Sequence, residues 1–335
     1  MKTKILLTLF FLLSLCLILF TGDMGHTELL HHAWKKLAGE TSQWTPLLDE
    51  RLPRALVLSC TGAALAVAGA VMQSLFQNPL ASPGYLGVSS GGSLLVFLVF
   101  IFGWQENLTL LIPLAAVLGS FGTLLLVWRL SKTNGVVELY HLILTGIAIS
   151  TLLIAVQNAL LYTYRHDWHL LQVMTEWQAG STFNRNWTHV HLQLPLTLTG
   201  LWCCFAYRKE MNILSLGEEE AKNIGVDVAT VRWRLFLSVA LLTGGALAGI
   251  GIVAFFGLIL PHIIRSFFGP NHRKLIPLSA LLGATVLMLL DFLVRALGLH
   301  FLTIGNVTAI LGGVFFFALL YQARRRGSWL RRSYS

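Results

Sequence analysis

Charge is scarce in this chain. Of its 335 residues, 24 are Lys or Arg and 15 are Asp or Glu, 12% in all, while 55% are hydrophobic. A soluble domain dresses its surface with about 25% charged residues, so the shortage excludes a soluble protein with one oversized core and leaves an integral membrane protein. Cysteine is scarcer still. Cys16, Cys60, Cys203 and Cys204 all fall in apolar runs without CxxC spacing, which excludes that kind of metal site and leaves buried, inert thiols. A cleavage site is missing as well. MKTK followed by ILLTLFFLLSLCLILF has the layout of a signal peptide, but TGDMG offers no A-x-A-like site, and Leu15 is larger than the residue that usually precedes a lipoprotein cysteine. A retained first helix follows. Asp291 is the clearest acid inside an apolar run, and a proton relay usually needs several; with Arg295 one turn later it reads as a paired acid near a membrane edge. No catalytic constellation stands out.

What is present is a series of apolar runs of spanning length, near 5–21, 55–76, 86–103, 108–128, 139–162, 190–207, 231–251, 252–268, 275–298 and 305–322. The chain is therefore an all-α polytopic membrane protein, a single domain over 1–335 with ten spans. The seventh and eighth are divided only by glycines. With the N-terminus inside, 17 of the 24 Lys and Arg fall on the cytoplasmic side and 7 on the other, which places both termini in the cytoplasm. The net charge of +9 is then a topology signal and not a nucleic-acid footprint. RRRGSWLRR near the C-terminus reads as a stop-transfer tail that anionic lipid could also bind.

Small residues recur at four-residue spacing, Gly62, Ala66 and Ala70 in the second span, Gly87 and Gly91 in the third, Gly245 and Gly249 in the seventh. Such rows let helix backbones approach closely. GAALAVAG at 62–69 is echoed by GGALAGIG at 244–251, identical at five of eight places, in spans of opposite direction; an inverted repeat and a chance match of small residues both account for it. Eight of the eleven histidines fall on the outer side, but His31–His32 and His189–His191 lack carboxylates at matching spacing, so no metal is expected there.

Two polar interruptions carry the functional reading. QNPLASPGYLGVSSGG at 77–92 lies between spans two and three, where Asn78-Pro79 would stop one helix and Ser82-Pro83 would cap and start the next. VSSGG would then lie at membrane depth, either beside a translocation path or in a re-entrant structural turn. MNILSLGEEEAKNIGV at 211–226 sits in the largest cytoplasmic loop. Gly217 precedes three glutamates suited to a helix N-terminus, and Gly225 ends the pattern. It is either a solvated surface helix or a coupling helix for a motor subunit.

RLPRAL, GAVMQSLFQNPLASPGYLGVSSGGSL, LSLGEEEAKNIGV, FFGLILPHIIR and VTAILGG, in that order and with these separations, resemble the permease subunits of ABC importers for iron–siderophore complexes, haem and vitamin B12. The match runs from about residue 50 to 322. The resemblance implies two such subunits, identical or closely related, around a central pathway, two ATP-hydrolysing subunits below and a periplasmic binding protein above, in a bacterial inner membrane. It implies no catalysis and no cofactor in this chain, with ATP and Mg bound by the partner. Residue by residue, it implies that Leu216, Gly217, Glu218, Ala221 and Gly225 form the helix seated in the ATPase. Arg51, Arg54 and Arg295 would face acidic residues of the binding protein, a role suited to guanidinium forks. Asn78, Pro79, Gly87, Ser89, Ser90 and Gly91 would lie near the gate and pathway. Pro261 and His262 would supply a helix kink and a local hydrogen bond, and Asp291 a structural pair for Arg295. Thr303 and Val314 stand where the family has prolines, and Asn306 where it is apolar. WQAGS at 177–181 is closer to siderophore members, whereas 62–92 resembles the B12 permease at least as well. An ion-driven transporter would also have many spans, but it leaves the docking helix unexplained.

Overall fold

The computed structural model describes residues 2–20, 26–40, 43–104, 110–133, 136–299 and 301–325. Its helices are α1 (Lys2–Phe20), α2 (His26–Leu37), α3 (Leu52–Leu75), α4 (Val88–Ile101), α5 (Leu111–Leu130), α6 (Leu139–Thr163), α7 (Trp168–Gln178), α8 (Trp187–Ala206), α9 (Arg208–Leu214), α10 (Glu218–Asn223), α11 (Val228–Ile250), α12 (Phe256–Phe268), α13 (His272–Ala296) and α14 (Ile304–Arg325). The strands among the described residues are β1 (Lys132–Thr133) and β2 (Val136–Val137), a two-rung ribbon between α5 and α6. TGDMG, His300 and the basic tail from 326 lie outside the described residues.

The ten expected spans are α1, α3, α4, α5, α6, α8, α11, α12, α13 and α14. A helix satisfies its own backbone, which hydrocarbon cannot do. Six of them, α3, α5, α6, α11, α13 and α14, are long and apolar enough to cross a membrane unaided. Polar caps stop the chain at the extramembrane ends: Asp167, Asn186, Asp227 and Asn271 accept from the first-turn amides of α7, α8, α11 and α13. Outside the spans, α2 buries Leu29 and Ala33 and exposes Trp34 and Leu37, the two-sided pattern of an interfacial helix.

One boundary differs from expectation. Ser82-Pro83 starts the short 3-10 turn 83–86, not α4; the chain then reverses through left-handed Gly87 (φ +69°) before α4 begins. Proline fixes φ but leaves the next direction open, and glycine supplies the turn. The second half does the same: α11 ends at Gly251 (φ +94°) and α12 starts after left-handed Phe255 (φ +59°).

Packing follows the same duplication. α3 packs on α13 as α11 packs on α5, α4 packs on α5 as α12 packs on α13, and α3 and α11 pack on each other. This is the contact pattern of an inverted repeat. Glycines set the closest approaches. A methyl on Gly62 would strike the Gly283 carbonyl, one on Gly91 would strike Thr123 Oγ1 and the Gly119 carbonyl, and one on Gly69 would strike the Gly257 carbonyl. Gly257 is the residue whose carbonyl loses its helical donor because Pro261, four residues on, has no N–H. α3 and α11 form the buried axis, with 83% and 78% of their spanning windows buried, against 17% for α6 and 22% for α14.

Candidate functional site

At one face of the bundle, α9 and α10 form a hairpin. Gly217 (φ +137°) turns the chain between them and Gly225 (φ +90°) ends α10. Ala221 is fully buried, whereas Leu216 and Ile224 are 69% and 62% exposed. Glu218 is held inward: its carboxylate takes Lys222 Nζ at 2.8 Å and Arg232 of α11 at 2.7 Å. Lys222, then Arg232, hold its carboxyl below the ordinary range against the opposing pull of partial burial. Glu218 thus fixes the hairpin, while Leu216 and Ile224 are the apolar groups it offers outward.

A half-open cleft of about 430 Å³ is lined by Pro83, Tyr85 and Ser89 from the first half, and by Thr243, Val253 and Phe255 from the second. It lies where the two half-related turns meet, so the irregular backbone lines a cleft and is not spread along a bare helix face. Of the residues the sequence assigns to gate and pathway, Ser89 lines this cleft. Asn78 and Pro79 are exposed beyond the end of α3, with Asn78 Oδ1 accepting from Leu80 N at 2.9 Å. Gly87 and Gly91 are buried in helix contacts with α5 and α6, and Ser90 Oγ donates to the Gly87 carbonyl at 2.9 Å. VSSGG forms the first turn of α4, and its small residues let α4 seat on α5. Pro261 is buried within α12; the His262 ring meets Phe315 edge-on at 6.0 Å and its carbonyl accepts from Ser266 Oγ at 3.0 Å.

At the opposite face lie Arg51, Arg54 and Arg295. Arg51 and Arg54 are only 8% and 7% exposed. Arg51 donates to the Leu19 carbonyl at 3.0 Å, and Arg54 Nε stands 3.5 Å from Asp291 Oδ2. Both have partners inside the chain, and a buried guanidinium needs one. Arg295, 31% exposed in its side chain, pairs with Asp291 at 3.2 Å and still reaches the surface. Thr182 completes the cluster, donating to Asp291 Oδ1 at 2.6 Å and accepting from Arg295 at 3.2 Å. Nothing in the sequence marks Arg54 or Thr182 as partners of Asp291; they arrive through the α3–α13 contact and the turn after α7.

Nearby, Arg185 donates to the Ser181 carbonyl and to His189 Nε2, at 3.0 Å for each terminal nitrogen. Burial lowers its pKa to about 10, which leaves it charged at neutral pH, so His189 accepts at Nε2 and gives its Nδ1 proton to Asn186 Oδ1 at 2.9 Å. Both ring nitrogens are engaged. The departures near the C-terminus are also accommodated: Thr303 Oγ1 donates to the Ala179 carbonyl at 2.5 Å and accepts from Asn306 N at 3.3 Å, capping α14 where the family has proline. Asn306 and Val314 are exposed.

With this geometry in hand, residues 6–322 match the FecCD transport family. The chain is 37% identical to the hemin transport system permease protein HmuU of Yersinia pestis over 332 residues, 96% of this chain and 97% of that one. It is 34% identical to the Fe(3+) dicitrate transport system permease protein FecD of Escherichia coli over 330 residues, 96% and 100% of the two chains. It is 37% identical to the vitamin B12 import system permease protein BtuC of Vibrio cholerae over 311 residues, 92% and 90%. A solved structure of a metal-chelate type ABC transporter in an inward-facing conformation superposes with a TM-score of 0.83 at 30% identity, covering 96% of this chain and 99% of that one. The ten spans, the repeated half and the protruding hairpin thus sit in a known frame, and the chain belongs to the FecCD transport family of ABC importer permeases.

Proposed function

We propose that this chain carries a bulky iron(III)–siderophore complex across the bacterial inner membrane, with both termini in the cytoplasm, powered by ATP and Mg bound in a separate ATPase subunit. A periplasmic binding protein delivers the solute to the α7 face, and the chain itself makes or breaks no covalent bond. The observation that carries the reading is the α9–α10 hairpin, which presents Leu216 and Ile224 to solvent while Glu218 and Ala221 anchor it from behind. An apolar pair on a braced protrusion is the form a docking knob takes. α6 and α14, the least buried of the six long spans, supply the faces that a second permease subunit and lipid would cover. The test is co-purification of the ATPase subunit with the chain. Leu216→Asp with Ile224→Asp should abolish capture and leave the helical fold intact; unchanged capture would remove the hairpin from the interface.

A second reading, haem as cargo, is favoured by one surface. Tyr162, Tyr164, Arg165, His166, Trp168 and His169 cluster in sequence at the α6–α7 junction, and Tyr162 and Trp168 are 68% and 80% exposed. They offer axial donors for iron, flat faces for a macrocycle and a cation for carboxylates.

A further inference from the structure

Two side chains, Asn212 and Gln77, fix α9 to the membrane domain. Asn212 Oδ1 accepts from the backbone N of His272 at 2.9 Å and lies 2.8 Å from its Nδ1, while Asn212 Nδ2 donates to Asn271 Oδ1 at 3.2 Å. That clamps α9 to the first turn of α13. On its other flank, Gln77, left-handed at φ +47°, donates from Nε2 to the Leu214 carbonyl at 2.9 Å, clamping α9 to the end of α3. Met211 and Leu214 are buried beneath. α3 and α13 are themselves in backbone contact at Gly62 and Gly283, and at their far ends Arg54, Asp291 and Arg295 tie them again.

We infer that α9, α3 and α13 form one rigid bar crossing the membrane, and that Asn212 is the positioning residue joining the hairpin to it. A push on the hairpin then reaches the Arg295 surface at the opposite face without being absorbed at the α8–α9 or α9–α10 turns. Close-packed helices move as units. The inference rests on the hairpin being the ATPase seat, and it adds which spans carry the motion. Asn212 is not among the residues that meet the ATPase, because its side chain points back to α13.

The experiment uses the complete complex of permease, ATPase and binding protein in proteoliposomes. It measures co-purification of the ATPase, basal hydrolysis and hydrolysis stimulated by loaded binding protein. Asn212→Ala should leave capture and basal hydrolysis as in wild type and cut the stimulated-to-basal ratio by about tenfold, the change that losing one to two ordinary hydrogen bonds can produce. Asn212→Asp keeps both accepting contacts but sets an acceptor against Asn271 Oδ1, so it should lie between Asn212→Ala and wild type. Full stimulation in Asn212→Ala overturns the inference. Loss of capture in that variant also overturns it, since Asn212 would then merely fold the hairpin. Failure of the wild-type chain to capture the ATPase would instead remove the functional reading beneath it.

Discussion

Asp291 is the residue on which most charge converges. Arg54 and Arg295 flank one oxygen and Thr182 donates to the other, with the carboxylate only 3% exposed. Removing one partner from a buried ion pair leaves the other uncompensated, which costs about 3–5 kcal/mol. Asp291→Asn should therefore lower the unfolding midpoint of the purified protein sharply. Arg51→Gln forfeits its contact to the Leu19 carbonyl and should cost about 1 kcal/mol. Equal midpoints for the two variants would contradict the ranking. Glu218 carries the pH dependence of the hairpin. Its folded pKa is depressed, chiefly by the Lys222 hydrogen bond, so its contribution is fully present above the unfolded value near 4.3 and disappears as pH falls through the lower folded value. The hairpin should hold equally well from pH 6 to 8, and Glu218→Gln at pH 7 should imitate strong acid. Amide hydrogen exchange of α10 at matched pH reads this out: faster exchange in the variant is expected, and identical exchange would contradict the anchoring role.

At the scale of elements, helix contacts are set by glycines whose partners are backbone atoms. Gly69 faces the Gly257 carbonyl, which Pro261 leaves without its helical donor. Neither side can yield by rotating a side chain. Gly69→Ala should cost about 3 kcal/mol, at or above the upper end of ordinary overpacking, whereas Gly122→Ala, with open space at its Cβ, should be neutral. Thermal unfolding of the two variants in one detergent compares them directly. The elements themselves were largely legible in the sequence: apolar length locates the spans, and the Gly217 and Gly225 pattern locates α10, though not the break that sets α9 apart as a second helix. What pattern could not reveal is direction of side chains. The family resemblance gives Arg51 and Arg54 an outward role but does not show that the α3–α13 contact supplies Asp291 to Arg54 and the end of α1 supplies the Leu19 carbonyl to Arg51. Gly87 and Gly91, which the family resemblance places near the pathway, let α4 approach α5 and α6 closely. Asn212 and Gln77 lie inside the two polar stretches, but their pattern does not say what the side chains meet; the three-dimensional meeting of α9 with α3 and α13 does.

For the whole molecule, the two halves repeat one plan. Each places a left-handed residue ahead of a short helix, Gly87 before α4 and Phe255 before α12, and the cleft lies between these two starts. The buried axis of α3 and α11 is shared, while α6 and α14 keep wide exposed faces. A rigid centre with two open flanks suits a subunit that tilts against a partner around a wide, weakly binding passage, where affinity resides in a separate delivery protein. The measurement that tests this most directly is uptake into proteoliposomes holding the chain with its ATPase and binding protein, with radiolabelled ferric siderophore, haem or cobalamin outside and ATP present or absent where the ATPase lies. The account predicts entry of an iron compound only with ATP, the ferric siderophore on the main reading and haem on the second. Entry of cobalamin alone would contradict the assigned cargo, and accumulation driven by an ion gradient without ATP would contradict the importer mechanism itself.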